Sequence, residues 1–154
     1  MGDFKLSRRS LARLEGVHPQ LVEVVDRAIE LTTQDFSVTD GLRTLERQKE
    51  LVASGASKTL NSMHLRQPDG WGHAVDLVPY LHGPRWEWPL IYPVAVAMRR
   101  ASEEFGVTLT WGGVWDRPLS DFEPTVEAMR QAVTDYTQRH PGPDFIDGPH
   151  YQLR

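Results

Sequence analysis

The chain has 154 residues, 40% of them hydrophobic and 25% charged, which suits one soluble domain with a proper core and excludes a disordered chain. Its formal net charge of −4 offers no basic stripe for nucleic acid, and the absence of cysteine excludes disulfides and any thiolate metal site. No segment approaches the ~18 apolar residues of a membrane span, and Met1-Gly2-Asp3-Phe4-Lys5 opens no signal-peptide core, so cytoplasmic synthesis without membrane insertion is expected.

After His18-Pro19, the apolar residues Leu21, Val24, Val25, Ala28 and Ile29 recur at helical spacing and predict a helix over 20–31. Phe36-Ser37-Val38 reads as a short strand. A second helix is expected from Leu45 to Ala53, with Thr44 as its N-cap and Gly55 just past its end. Residues 55–72 carry loop chemistry. Ala74-Val75-Asp76-Leu77-Val78 reads as a buried strand interrupted by one acid and stopped by Pro79.

Trp86 to Tyr92 reads as an aromatic, proline-containing connection. Pro93 then suits the first turn of a helix with the apolar face Val94, Ala97, Met98, Ala101 and Phe105, ended by Gly106. Val107 to Trp111 is a further strand, halted by Gly112-Gly113. A last helix follows Pro124, with Val126, Met129, Val133 and Tyr136 inward, and Pro141-Gly142-Pro143 ends it. His150 to Leu153 reads as a closing strand. Helices and strands mix without regular βαβ alternation. The expected fold is therefore α+β, a small, mainly antiparallel sheet flanked by about four helices in a single domain over residues 1–154.

The chemistry concentrates in three segments: Ser62-Met63-His64, Gly72-His73-Ala74-Val75-Asp76 and Asp147-Gly148-Pro149-His150. An acid inside an apolar strand is costly to bury unless charge or hydrogen bonds compensate it, and a divalent cation would supply that compensation. Two imidazoles and a carboxylate suit Zn²⁺ and leave a coordination position open. A carboxylate three residues before a ligand can take a proton from a water that the metal has acidified to a pKa of about 7, and pass it to the leaving amine. Each residue also has an ordinary reading taken singly: His64 as a loop histidine, Asp76 as the partner of a buried arginine, His150 as a structural histidine.

Together, Ser62-x-His64, Gly72-x-Ala74-x-Asp76-Leu77 and the late Asp147-x-x-His150 closely resemble the D-alanyl-D-alanine carboxypeptidase/VanY-like zinc peptidases, most of all their phage-endolysin branch, the L-alanyl-D-glutamate endopeptidases. Phe36 to Thr44, Glu46-Arg47-Gln48, Trp111 to Trp115 and Asp147 to Leu153 carry the resemblance over nearly the whole chain. It implies zinc ligands at His64, Asp76 and His150, the catalytic carboxylate at Asp147, and at Arg43 an arginine that binds the scissile carbonyl oxygen or a neighbouring substrate group. Gln48 and Ser62 are expected to contact substrate. The fold implied is the one shared with Hedgehog signalling domains.

One departure stands out. The family spacing leaves two residues between the histidine and the glycine, whereas seven, Leu65 to Trp71, lie between His64 and Gly72. A loop containing Pro68-Asp69-Gly70 can bulge while both ends stay fixed. The insertion is expected beside the metal, where Arg66 or Trp71 could meet substrate. His73 and Asp69 are rival ligands, but strand alternation turns residues 73 and 76 to opposite faces, so His73 is expected to face substrate or solvent. Trp86, Trp88, Trp111 and Trp115 read as core and rim packing.

The function implied is a phage-type endolysin that cuts the L-alanyl-D-glutamate bond of the peptidoglycan stem peptide. It would act as a monomer and wait in the host cytoplasm until a holin gives it access to the cell wall. The alternatives are a D,D-carboxypeptidase or dipeptidase on D-alanyl-D-alanine, and a non-catalytic, zinc-stabilised binding module.

Overall fold

A computed structural model describes residues 3–142 and 146–154. Three helices precede or flank the first strand. α1 (Arg8–Arg13) is capped by Ser7, whose hydroxyl accepts from the Ser10 amide. α2 (Pro19–Leu31) starts with proline in its first turn and takes the His18 ring as its cap, Nδ1 accepting from the Gln20 amide. Its stripe Leu21, Val24, Val25, Ala28 and Ile29 is buried, as the spacing requires. β1 (Phe36–Asp40) follows, and then α3 (Leu45–Ala53), where Thr44 accepts from the Arg47 amide.

β2 (Ala74–Pro79) leads to α4 (Trp88–Phe105), which packs along α2 and buries Ile91, Val94, Ala95, Met98 and Ala101 in the core. α4 begins five residues before the predicted start at Pro93. Pro89 occupies the first turn, where no amide is needed, so Pro93 costs a single intrahelical bond, and burial of Ile91 and Tyr92 outweighs it. β3 (Leu109–Trp111) is shorter than the predicted strand and turns through Gly112-Gly113 into β4 (Val114–Pro118), an arm the sequence did not announce. A short 3-10 turn leads to α5 (Val126–Arg139), capped by Thr125, and the chain closes with β5 (His150–Leu153). The described residues thus form five α-helices, one more than expected, because α1 was not foreseen. Pro143, expected to help end α5, lies outside the described residues.

All five strands join one sheet, ordered β1-β2-β5-β3-β4, with every pairing antiparallel. β5 therefore sits in the middle, between β2 and β3. The outer edge of β1 is sealed by α1: the Val38 amide donates to Ser10 Oγ at 3.0 Å, and Arg13 Nη1 donates to the Val38 carbonyl at 3.1 Å. Strand alternation sends Val75, Leu77 and Tyr151 into the core under the helices, where Tyr151 stacks on the fully buried Trp111. The same alternation turns Asp76, His150 and Gln152 to the opposite face. No helix among the described residues is long and apolar enough to cross a membrane.

Candidate metal centre

Asp76 and His150 are direct partners across the β2–β5 ladder, so their side chains leave the sheet side by side. His64 comes from the loop before β2. Its position is fixed by backbone bonds on both sides: Arg43 donates to the His64 carbonyl at 2.8 Å, and His73 donates to the Met63 carbonyl at 2.8 Å. Ser62 Oγ accepts from the His64 amide at 3.1 Å. The result is a group in which one ligand atom from each of His64, Asp76 and His150 lies within 4.8 Å of the others, a group able to hold a metal ion.

The hydrogen bonds around the rings give this geometry its meaning. His64 Nδ1 lies 2.9 Å from the Gly41 carbonyl, which can only accept, so Nδ1 carries the proton and Nε2 presents a lone pair. That lone pair faces Asp76 Oδ1 at 3.2 Å. His150 Nε2 lies 2.8 Å from Gln152 Oε1, which leaves Nδ1 to face the same carboxylate oxygen at 3.2 Å. Three acceptors pointed at one spot repel unless a cation sits among them, whether protons on the rings or a metal ion. Burial alone would push the Asp76 carboxyl up, yet His150 and His64 outweigh it and hold the group well below the usual carboxylate range. His150 moves the other way: burial lowers it, and Asp76 more than offsets that.

Gly41 owes its identity to close approach. A side chain there would overlap the Arg13 carbonyl, so glycine lets the chain pass and aim its own carbonyl at His64. Gly112 plays the matching part under Asp147, where an added Cβ would overlap the Asp147 carbonyl. The Asp147 amide donates to the Gly112 carbonyl at 2.8 Å, and the His150 amide donates to the Asp147 carbonyl at 3.0 Å, closing a turn that puts Asp147 on the cleft shared with His64, Asp76 and His150. Trp111 Nε1 donates to the Gly148 carbonyl at 2.7 Å and locks that turn to the core. Burial pushes the Asp147 carboxyl above its usual value and Asp76 adds to this, while His150, His64 and Arg43 pull partly against it.

Arg43 reaches the same group. Nε donates to Asp40 Oδ2 at 2.9 Å, Nη2 pairs with the same oxygen, Nη1 donates to Gln48 Oε1 at 2.6 Å, and Nη2 lies 3.8 Å from Asp76 Oδ2. Its side chain is only 9% exposed, so the guanidinium is held rather than free to sweep. A cleft of about 690 Å³ opens over these residues and is lined by Arg43, Ser62, His64, Asp76, Asp147 and His150.

The other residues expected to meet substrate are elsewhere. Gln48 is fully buried behind Arg43 and does not line the cleft: its Nε2 donates to the Thr59 carbonyl at 2.6 Å and to Ser57 Oγ at 2.9 Å. Trp71 and His73 are also off the cleft. The insertion closes on itself, with Gln67 donating to the Trp71 carbonyl at 2.8 Å and Arg66 bridged to Gly72. Asp69 is its hub, taking the Trp71 amide at 3.0 Å and His73 Nε2 at 2.7 Å, with His18 Nε2 at 3.8 Å. The bulge therefore packs toward the N-terminus of α2 and leaves His64 in place.

Trp115 was read as packing but lies on the cleft wall, its ring 5.2 Å from that of His150. Asp40, Gly41 and Gln152 were also missed. Asp40 stands three residues before Arg43, a spacing that a search for ion pairs could have found; the other two act through a backbone carbonyl and a same-face neighbour.

A His-Asp-His group beside a raised carboxyl and a fixed guanidinium, all in one cleft, is the layout of a metal-dependent hydrolase. The family comparison makes this specific: the chain belongs to the phage L-alanyl-D-glutamate peptidase family, whose model matches residues 1–153. It is 31% identical over 119 residues to the L-alanyl-D-glutamate peptidase of Escherichia phage T5, an alignment covering 73% of this chain and 82% of that protein. The fold is similar to the crystal structure of the Serratia marcescens L-Ala D-Glu endopeptidase ChiX, with a TM-score of 0.71 and 36% identity over 99% of this chain and 92% of that one.

Proposed function

We propose that this protein is an endolysin that hydrolyses the L-alanyl-D-glutamate bond of the peptidoglycan stem peptide, with His64, Asp76 and His150 as ligands of a zinc ion. The observation that carries the reading is the convergence of two imidazole lone pairs on Asp76 Oδ1 within the cleft that also holds Asp147 and Arg43. Two nitrogens and one carboxylate oxygen match the preferences of zinc and leave room for water and substrate. A zinc ion held there would polarise the scissile carbonyl and acidify a water molecule.

The chain's own residues supply the rest. Asp147, its carboxyl raised by burial, takes the proton of the attacking water and returns it to the leaving amine. Arg43, fixed by Asp40 and Gln48, holds positive charge where the carbonyl oxygen becomes anionic. Trp115 stands beside His150 on the cleft wall, where its ring can pack against substrate. Ser62 holds His64 through its amide and contributes to the cleft wall. Access to the wall from the host cytoplasm after holin action, and action as a monomer, complete the proposal.

Digestion of purified peptidoglycan followed by mass spectrometry tests it. The expected products are stem peptides that begin with D-glutamate, with L-alanine left on the glycan side. Release of free D-alanine from intact stems would instead indicate a D,D-carboxypeptidase and would reject the reading.

A further inference from the structure

A histidine that gives a metal one ring nitrogen keeps its proton on the other, and the partner of that proton decides which nitrogen is offered. For His64 the partner is the Gly41 carbonyl, a backbone group. For His150 it is a side chain, Gln152 Oε1, which lies 2.8 Å from Nε2. One imidazole of the metal group is therefore oriented by the main chain, and the other by a residue that substitution can change.

The sheet places Gln152 for this. It follows His150 by two residues on β5, so both side chains leave the same face. β5 is paired on both sides, with Gln152 opposite Ala74 of β2 and Thr110 of β3. Ala74 carries no polar side chain, and Thr110 Oγ1 accepts from Arg154 Nη1 at 3.2 Å. Gln152 lines the cleft together with His150, Asp76 and Asp147.

Its amide oxygen opposes a pull from Asp76. A carboxylate oxygen 3.2 Å from His150 Nδ1 draws the ring's proton onto that nitrogen, where it occupies the lone pair that a cation needs. Gln152 Oε1 can only accept, and it draws the proton to Nε2 instead. We propose that Gln152 is a positioning residue for the metal, holding the His150 proton on Nε2 and so reserving Nδ1 as the ligand atom. This role rests on the zinc reading of the site. Gln152 acts through His150 and needs no contact with substrate to do so.

The test compares wild type with Gln152→Leu, which loses the acceptor at similar size, and Gln152→Glu, which keeps one. Zinc affinity is read by competition with a chromophoric chelator, and the His150 ring by long-range proton–nitrogen correlation spectra of the zinc-loaded proteins. Wild type is expected to carry the proton on His150 Nε2. Gln152→Leu should bind zinc about 10- to 100-fold more weakly. Gln152→Glu should bind at least as tightly as wild type, because a carboxylate partner raises the basicity of the ligating nitrogen. A lower melting temperature of metal-free Gln152→Leu with zinc affinity unchanged makes Gln152 a purely structural residue and overturns the role. An equal loss of affinity in both variants overturns it too, as does a wild-type spectrum with the proton on Nδ1. Wild type that binds no zinc overturns the zinc reading itself, and the role with it.

Discussion

Replacing Gln48 by leucine separates a residue that touches substrate from one that holds the site together. The substitution removes the acceptor of Arg43 Nη1, at 2.6 Å, and the donor to the Thr59 carbonyl and Ser57 Oγ. Arg43 stays almost wholly buried, so its lost charge-assisted bond costs about 1.5–3 kcal/mol. Thr59 is exposed, and its carbonyl can turn to water, which limits that loss to about 0.5–1 kcal/mol. The sum, about 2–4 kcal/mol, corresponds to a fall in Tm of about 5–15 °C for a domain of this size. Because Arg43 keeps Asp40 but loses its second restraint, kcat should fall about tenfold or more, with KM changing less. Gln48→Glu retains an acceptor for Arg43 and should keep more of kcat, although its carboxylate opposes the Thr59 carbonyl. Differential scanning calorimetry and peptidoglycan-hydrolysis kinetics read the two effects. A several-fold rise in KM with Tm and kcat unchanged would refute the argument and return Gln48 to the substrate.

Three further outcomes follow from the site. Chelation should lower Tm and zinc restore it, by about 4 kcal/mol at a thousandfold excess over Kd or about 8–16 °C, in calorimetry of wild type but not of His64→Ala. Asp147→Asn should cost about 10²–10⁴ in kcat, yet in metal-free protein at neutral pH it should melt no lower than wild type. The sign follows from the raised carboxyl: the fold favours the protonated form, a contribution fully present below the ordinary carboxylate pKa and lost as pH rises through the folded value, so an ionised Asp147 is a burden at neutrality. A clear drop in the melting temperature of Asp147→Asn would contradict this. His73→Ala and Trp71→Ala, on the bulge away from the cleft, should retain zinc by metal analysis and retain kcat, and loss of either would move the insertion into the site.

The parts of the molecule with a strong local pattern were legible in the sequence. The α2 stripe, the Thr44 cap and the acid within Ala74–Pro79 each mark their element by residue type and spacing. Elements without such a pattern were not. α1 buries only Ser10, so it shows no apolar stripe, and it exists because its side chains satisfy the edge of β1. β4 carries Asp116, Arg117 and Pro118, a polar arm anchored by the buried Val114 at its start and by pairing with β3. Two prolines disguised the start of α4. At the site, the family resemblance singled out His64, Asp76, Asp147 and His150, which share one cleft, but nothing in the sequence tells that Gly41, 23 residues before His64, offers the carbonyl that selects its tautomer. Nor does it tell that Gln48 turns inward, because one glutamine on a mostly polar helix has no preferred side until Arg43 and the 57–59 segment claim it.

The sheet also explains how an insertion between two neighbouring site residues can leave the centre intact. Asp76 and His150 are 74 residues apart in sequence but are fixed by register, as direct partners on β2 and β5. A slip of one residue would turn His150 toward the helices and Tyr151 into the cleft, exposing a buried aromatic that stacks on Trp111, so the core enforces the pairing of Asp76 with His150. His64 is the single member supplied by a loop, and it is the one held most by backbone: Arg43 and His73 bond its stretch on either side while Gly72 donates to the Gly16 carbonyl at 2.9 Å. Chain added between Leu65 and Trp71 lies outside these bonds and costs only loop-closure entropy, which grows slowly with length. The centre is thus distributed between a register that the hydrophobic core protects and a loop whose two ends are stitched to the same frame. Metal binding would accordingly report on docking of β5 between β2 and β3, because no fragment lacking that pairing brings the acceptors together.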